Sequence, residues 1–306
     1  MAARIVTTAA GPIEYDEHGQ GTPVLVLHGS PGGIDAAELM ARFLPRDEFR
    51  AILVSRPGYL GTPLGDRRGW NAQADLLAAL LDHLGIDRCA VLAWSGGGPA
   101  AYRLAVRHPG RVSAIVAIAA VSTTIVIPRP SLSDRLMFGT RPGLSLLRWL
   151  SVKQPRQVVQ GALASEGSIG KERLATVVDY VMNDPEQRRF VLDLGPTAGT
   201  SGRRRPGWTL EKQLFAAREP LQLDQVTCAV LLVHDTADSD APIEQSRYAR
   251  DHLPNAELVT TEGGTHLSFW ASENATALQA HALDFIRTNT AGRVDPPASG
   301  RHERRS

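Results

Sequence analysis

A serine, a histidine and a short acidic cluster in this chain have the residue types and surroundings to build a nucleophile. Ser95 lies in Leu92-Ala93-Trp94-Ser95-Gly96-Gly97-Gly98, with an apolar run before it and a helix-like run after it. A sharp strand-to-helix turn lifts a serine hydroxyl clear of a sheet, and its converging backbones require small residues two positions to either side. Ala93 and Gly97 meet that need, with Ala93 standing where glycine is usual. A serine hydroxyl attacks poorly until a base takes its proton and an acid orients that base. His266 is the candidate base, because Glu262-Gly263-Gly264-Thr265-His266 follows the strand-like Leu258-Val259-Thr260-Thr261 and the two glycines let the loop bend. For the acid there is a choice. Val230-Leu231-Leu232-Val233 runs into His234-Asp235-Thr236-Ala237-Asp238-Ser239-Asp240-Ala241-Pro242, which offers Asp235, Asp238 and Asp240. Such a position, at the C-terminal end of a parallel strand, is where ligands and chemistry collect. The competing reading is a solvated acidic loop that caps a helix starting near Ile243.

A further glycine-rich loop, His28-Gly29-Ser30-Pro31-Gly32-Gly33, follows the apolar run Val24–Leu27. A phosphate cradle is disfavoured there, since neither G-x-x-x-x-G-K-[ST] nor G-x-G-x-x-G occurs. To position these loops the chain needs a sheet. Val24–Leu27, Ala51–Val54, Ala90–Ala93, Ala114–Ala119, Ala229–Val233 and Glu257–Thr260 read as strands buried on both faces. Helical spacing appears over Asn71–Leu84, Pro99–His108, Glu244–Leu253 and Ala275–Arg287. Strand–helix alternation of this kind predicts a mostly parallel sheet with helices on both faces. Arg4–Thr7 and Ile13–Tyr15 are expected as an antiparallel edge hairpin. The alternation stops between about Ser122 and Gln225, which reads as an inserted, mainly helical subdomain.

Nucleophile, acid and histidine come in that chain order, which matches neither of the protease orders. In these features the chain resembles the α/β-hydrolase superfamily with a cap domain, over roughly Ile13 to Thr288. The His28-Gly29-Ser30-Pro31-Gly32-Gly33 loop is similar to the HGxPG loop of proline iminopeptidases and haloperoxidase-like esterases. Gly97-Gly98-Pro99-Ala100-Ala101-Tyr102 with Arg107-His108-Pro109 resembles the helix after the nucleophile in the same groups. The resemblance implies an eight-stranded, mostly parallel sheet with the cap inserted after the sixth strand. It implies an oxyanion hole made by the backbone N–H groups of Ser30 and Gly96. It also points to Asp238 as the acid, through a pattern like H-G-x-x-D that His234-Asp235-Thr236-Ala237-Asp238 matches at both ends. Asp235 follows the strand too closely to reach the last loop, and Asp240 lies near Pro242 in a capping position. Dehalogenases and epoxide hydrolases of this fold carry Asp at the nucleophile position, so Ser95 points to acyl chemistry.

Composition narrows the rest. The 306 residues have a formal net charge of +1, which gives no global field to draw nucleic acid or an anionic membrane. Cys89 and Cys228 each open an apolar run and are expected as buried strand residues, not as a disulfide framework. The start of the chain lacks the apolar core of a secretory signal, and a cytoplasmic protein is expected. No H-E-x-x-H or C-x-x-C spacing appears, and neither metal nor organic cofactor is expected. The expected domains are a core of residues 1–121 and 226–290, a helical cap of 122–225, and a disordered basic tail of 291–306. The expected partner is a small-molecule acyl substrate, with no nucleic acid and no membrane, and the oligomeric state is left open. The expected reaction is hydrolysis of a carboxylic ester or related acyl compound through an acyl-enzyme. An aminopeptidase of the proline iminopeptidase type and a non-catalytic, hydrolase-like receptor are the alternatives. His28 and His234 are expected to stabilise loops.

Overall fold

The computed structural model describes residues 3–290, so the expectation of a disordered tail at 291–306 lies outside the described residues. Eight strands form one sheet in the order β1-β2-β4-β3-β5-β6-β7-β8. They are β1 (Arg4–Thr8), β2 (Gly11–His18), β3 (Thr22–Leu27), β4 (Phe49–Val54), β5 (Cys89–Trp94), β6 (Val112–Ile118), β7 (Ala229–Asp235) and β8 (Ala256–Thr261). The expected hairpin stands at one edge: β1 pairs with β2 antiparallel, and β2 pairs with β4 antiparallel. Every pairing from β4 onward through β3, β5, β6, β7 and β8 is parallel.

Alternate residues of each central strand feed opposite faces, as strand geometry requires. Leu25, Leu27, Val91, Ala93, Ile115, Ala117, Val230 and Leu232 join one apolar cluster. Val24, Val26, Ala90, Leu92, Val116, Ile118, Leu231 and Val233 join the other. Helices α2 (Trp70–His83), α3 (Gly98–Arg107) and α10 (Glu244–His252) cover the first face. The second is covered by α1 (Ile34–Met40) and α11 (Ala275–Thr290). Each fully buried Val, Leu or Ile is worth about 1.5–3 kcal/mol, so a sheet apolar on both faces is stable only with both faces covered. β8 departs from expectation. Its residues are intermediate or exposed because it is the sheet's other edge.

Between β6 and β7 run six helices: α4 (Leu132–Gly139), α5 (Arg141–Lys153), α6 (Pro155–Ser165), α7 (Lys171–Asn183), α8 (Pro185–Leu194) and α9 (Arg205–Ala216). Val159, Leu163, Val177, Val178, Val181, Phe190 and Val191 carry the second apolar cluster into them. Cys89 and Cys228 are buried free thiols. No helix among the described residues is long and apolar enough to cross a membrane.

Candidate active site

Ser95 sits between β5 and α3 with a φ of 51°, a left-handed conformation that costs a non-glycine residue energy. The turn is that tight because its neighbours pack without side chains. A Cβ on Gly97 would run into the backbone carbonyls of Leu27 and His28, and one on Gly96 would collide with Ser30 Oγ and the Phe215 ring. The turn therefore lies directly against the His28–Gly33 loop and against α9.

Asp238 and His266 are brought together from the ends of β7 and β8. His266 Nδ1–H donates to Asp238 Oδ2 at 2.6 Å, with both side chains buried. The other oxygen, Oδ1, accepts from the Asp240 and Ala241 amides at 2.9 Å each. His234 Nε2 also stands 3.1 Å from Oδ2, and its ring is locked by Ser246 Oγ and the Ala241 carbonyl, the loop-stabilising role expected of it. Burial alone would raise the Asp238 carboxyl. The His266 charge and the hydrogen bonds from His234 and His266 outweigh burial and hold it well below the usual carboxylate range. For His266, burial opposes the charge, but Asp238, Asp240 and Glu166 overcome it and raise the imidazole to about 9.

Two of the three acids behave differently from expectation. Asp235, expected to follow the strand too closely to reach the last loop, does reach it, because its side chain turns toward the adjacent end of β8. It is buried and accepts from Thr261 Oγ1 at 2.7 Å and from the Gly264 amide at 3.1 Å, which fixes the start of the histidine loop. Asp240 caps no helix, since α10 has Ile243 at its N-cap and no side-chain cap bond. Its carboxylate stands instead 3.5 Å from His266 Nε2. Glu166, in the loop after α6, was not anticipated at all. Its carbonyl accepts the His266 amide at 2.8 Å, and burial together with Asp240 and Asp238 raises its carboxyl to about 7. His266 Nε2 itself is buried and has no hydrogen-bond partner, so the contact with Ser95 Oγ is not made in this structure. Such bonds are often loose until substrate arrives. The Trp94 ring lies against the imidazole, with centroids 5.2 Å apart.

The His28–Gly33 loop is held from behind. His28 is fully buried; its Nδ1–H donates to the Gly29 carbonyl at 2.7 Å and its Nε2 accepts the Arg56 amide at 3.1 Å. Burial and the Arg56 charge push the His28 imidazole well below its usual range, which keeps the ring neutral for that pairing. Arg56 in turn reaches the His28 and Gly29 carbonyls and Ser30 Oγ, and it forms a wholly buried ion pair with Glu211 of α9. Ser30 Oγ and Tyr59 OH both donate to Glu211 Oε2 at 2.5 Å. Among the described residues the Ser30 amide donates to no other group. Arg56, Tyr59 and Glu211 were missed in the sequence. Arg56, two residues past the end of β4 at the sheet's C-terminal edge, carried the one available signal.

Residues 24–280 match the sequence profile of the Alpha/beta hydrolase family. The chain belongs to that family. It is a hydrolase by that membership, and the fold is the α/β-hydrolase fold. An alpha/beta hydrolase fold protein from Nakamurella multipartita is similar at 42% identity, with a TM-score of 0.92 over 95% of this chain and 100% of that one. An uncharacterized hydrolase of Bacillus subtilis (strain 168) is 24% identical over 288 residues, 92% of this chain and 98% of that protein. The pimeloyl-[acyl-carrier protein] methyl ester esterase of Legionella pneumophila (strain Paris) is 34% identical over 260 residues, 84% of this chain and 92% of that enzyme.

Proposed function

We propose that this hydrolase cleaves a carboxylic ester or related acyl compound through an acyl-enzyme. Ser95 Oγ attacks the carbonyl carbon while His266 Nε2 takes its proton, and the Ser30 and Gly96 amides receive the charge that develops on the carbonyl oxygen. The alcohol leaves with the proton returned by His266. Water, deprotonated by the same nitrogen, then releases the acid and restores Ser95. Asp238 holds the imidazole in the tautomer that presents Nε2 and stabilises the imidazolium. Residues 122–225 serve as the cap over the site. The observation that carries this reading is the left-handed Ser95 at the β5–α3 turn, accompanied by a 2.6 Å Asp238–His266 pair. Ester chemistry in the Legionella relative supports the choice of substrate class.

A fluorophosphonate tests the proposal. One covalent adduct is expected on the peptide containing Ser95, and Ser95→Ala should abolish it and lower ester turnover by on the order of 10⁶. Undiminished turnover in Ser95→Ala would refute the mechanism. A second reading, cleavage next to a free amino group, draws support from Glu166 and Asp240, whose carboxylates and the His266 ring gather within 4.8 Å of one another. Faster turnover of aminoacyl-arylamides than of the matching acyl esters would select it.

A further inference from the structure

Helices α4 and α5 carry an apolar face that the protein leaves uncovered. No side chain of α4 is buried, and α5 buries only Leu147. Leu132 and Leu136 lie one turn apart on α4, while Leu146, Trp149 and Val152 follow at three-residue steps on α5. All five are between 48% and 76% exposed. The two helices meet closely at their junction, where a Cβ on Gly143 would collide with the Leu136 and Met137 carbonyls. Single exposed leucines are ordinary on a protein surface, but five large apolar side chains on two adjoining helices are not.

The charge around this face is one-sided. From 129 to 156 the chain carries Arg129, Arg135, Arg141, Arg148, Lys153 and Arg156 against a single acid, Asp134. Asp134 is taken up by Ser131 in the capping box of α4. Arg156 pairs with Asp179 at 2.6 Å, and among the described residues the other five cations pair with no carboxylate. The chain-wide charge of +1 averages over this segment and conceals it.

We propose that the α4–α5 face docks on an anionic lipid surface, with the leucines, Trp149 and Val152 entering the headgroup region and the cations meeting lipid phosphates. A short helix pair with an apolar stripe, a tryptophan and a basic border has the composition of an interfacial element. Charge complementarity decides the occupant. A second copy of the chain, paired by a two-fold axis through this face, would set the same unpaired cations against each other. A nucleic-acid backbone would meet the arginines but leave the apolar side chains unburied. The proposal is independent of the catalytic reading, because docking is measured without turnover.

Sedimentation with vesicles tests it on the full chain. The protein should pellet with vesicles of mixed phosphatidylcholine and phosphatidylglycerol, stay in solution with phosphatidylcholine alone, and be released by high salt. Replacing Arg135, Arg141 and Arg148 together with Gln, or Leu136, Trp149 and Val152 together with Gln, should each weaken binding by about tenfold or more. Circular dichroism would establish that both variants fold. Equal pelleting with neutral vesicles, or none with anionic ones, overturns the proposal. So does a dimer in solution that the Leu136/Trp149/Val152 substitutions dissociate, since the face would then belong to a second copy.

Discussion

Glu211 offers a sharp test of how the helices between β6 and β7 act on the active-site loops. Its carboxylate is completely buried and accepts from Arg56, from Ser30 Oγ and from Tyr59 OH. Tyr59 stays a donor, because burial and the Glu211 charge raise its hydroxyl well above the usual range. Glu211→Ala would leave the buried Arg56 guanidinium facing only the His28 and Gly29 carbonyls and the Ser30 hydroxyl. Breaking a buried pair by removing one partner costs about 3–5 kcal/mol, because the remaining charge is uncompensated. For a chain of this size that lowers the melting temperature by on the order of 10 °C. Replacing both partners removes the stranded charge, so Glu211→Leu combined with Arg56→Met should regain most of the loss.

Catalysis supplies the second readout. Ser30 loses its hydrogen bond to Glu211, and its amide is then less firmly aimed at the carbonyl oxygen. Loss of one oxyanion donor costs on the order of 10²–10³ in kcat, which sets the ceiling for Glu211→Ala. The fall should appear in kcat while KM changes little, and urea unfolding measures the stability arm on the same samples. If Glu211→Ala is as stable as the parent chain, the reasoning is refuted. An additive double variant, as unstable as the two single losses together, refutes it too.

Asp238→Asn should keep the fold but cut ester turnover by up to about 10⁴, through loss of the tautomer that presents His266 Nε2. Asp235→Ala should destabilise the protein by about 1–3 kcal/mol, because the Gly264 amide and the Thr261 hydroxyl lose their acceptor, and unaltered urea unfolding would contradict that. In the proposed mechanism the neutral imidazole is the base, so kcat/KM should climb with pH toward about 9, and Asp240→Asn, by removing one of the charges that raise His266, should move that limb to lower pH. Because the His266 pKa is raised on folding, its contribution to stability is complete below the unfolded value near 6.5 and is lost as pH rises through about 9; Asp238→Asn should flatten unfolding free energy across that window.

What could be read from the sequence was local or tied to a strand end. The central strands declared themselves as short apolar runs, because a strand covered on both faces has no polar side to interrupt it. The Ser95 turn was legible because its steric demand falls on residues two positions away. Asp238 and His266 are 28 residues apart, yet each follows the end of one of two adjacent parallel strands. An acid from the first loop and the histidine of the second were therefore expected to meet, and the family resemblance singled out Asp238 among the three acids. The roles expected for Asp235 and Asp240, one too close to the strand to reach the last loop and the other a helix cap, both failed. Their roles depend on side-chain direction in a turn whose shape is set by the two amide bonds to Asp238 Oδ1. Arg56 and Glu211 are 155 residues apart, in segments with no shared pattern, and only the folded chain brings them together.

Both residues that the sequence concealed most completely, Glu166 and Glu211, lie among the helices inserted between β6 and β7, and each holds a different loop of the proposed site. Glu166 accepts the His266 amide at 2.8 Å through its carbonyl, next to a β-bridge that joins Gly167 to Asp238. Glu211 holds Ser30 through its carboxylate, while Phe215 of the same helix lies over Gly96. The proposed base is thereby held from one side and the proposed oxyanion loop from the other, and Ser95 sits in its own strained turn. In the proposed mechanism, the contact between Ser95 Oγ and His266 Nε2, which is not made in this structure, has to form when substrate binds. Changes in the inserted helices that leave both anchors intact should accordingly alter which substrates enter, whereas Glu211→Ala should alter the rate for every substrate alike; the Glu166 anchor is a backbone carbonyl, which any replacement of that side chain keeps.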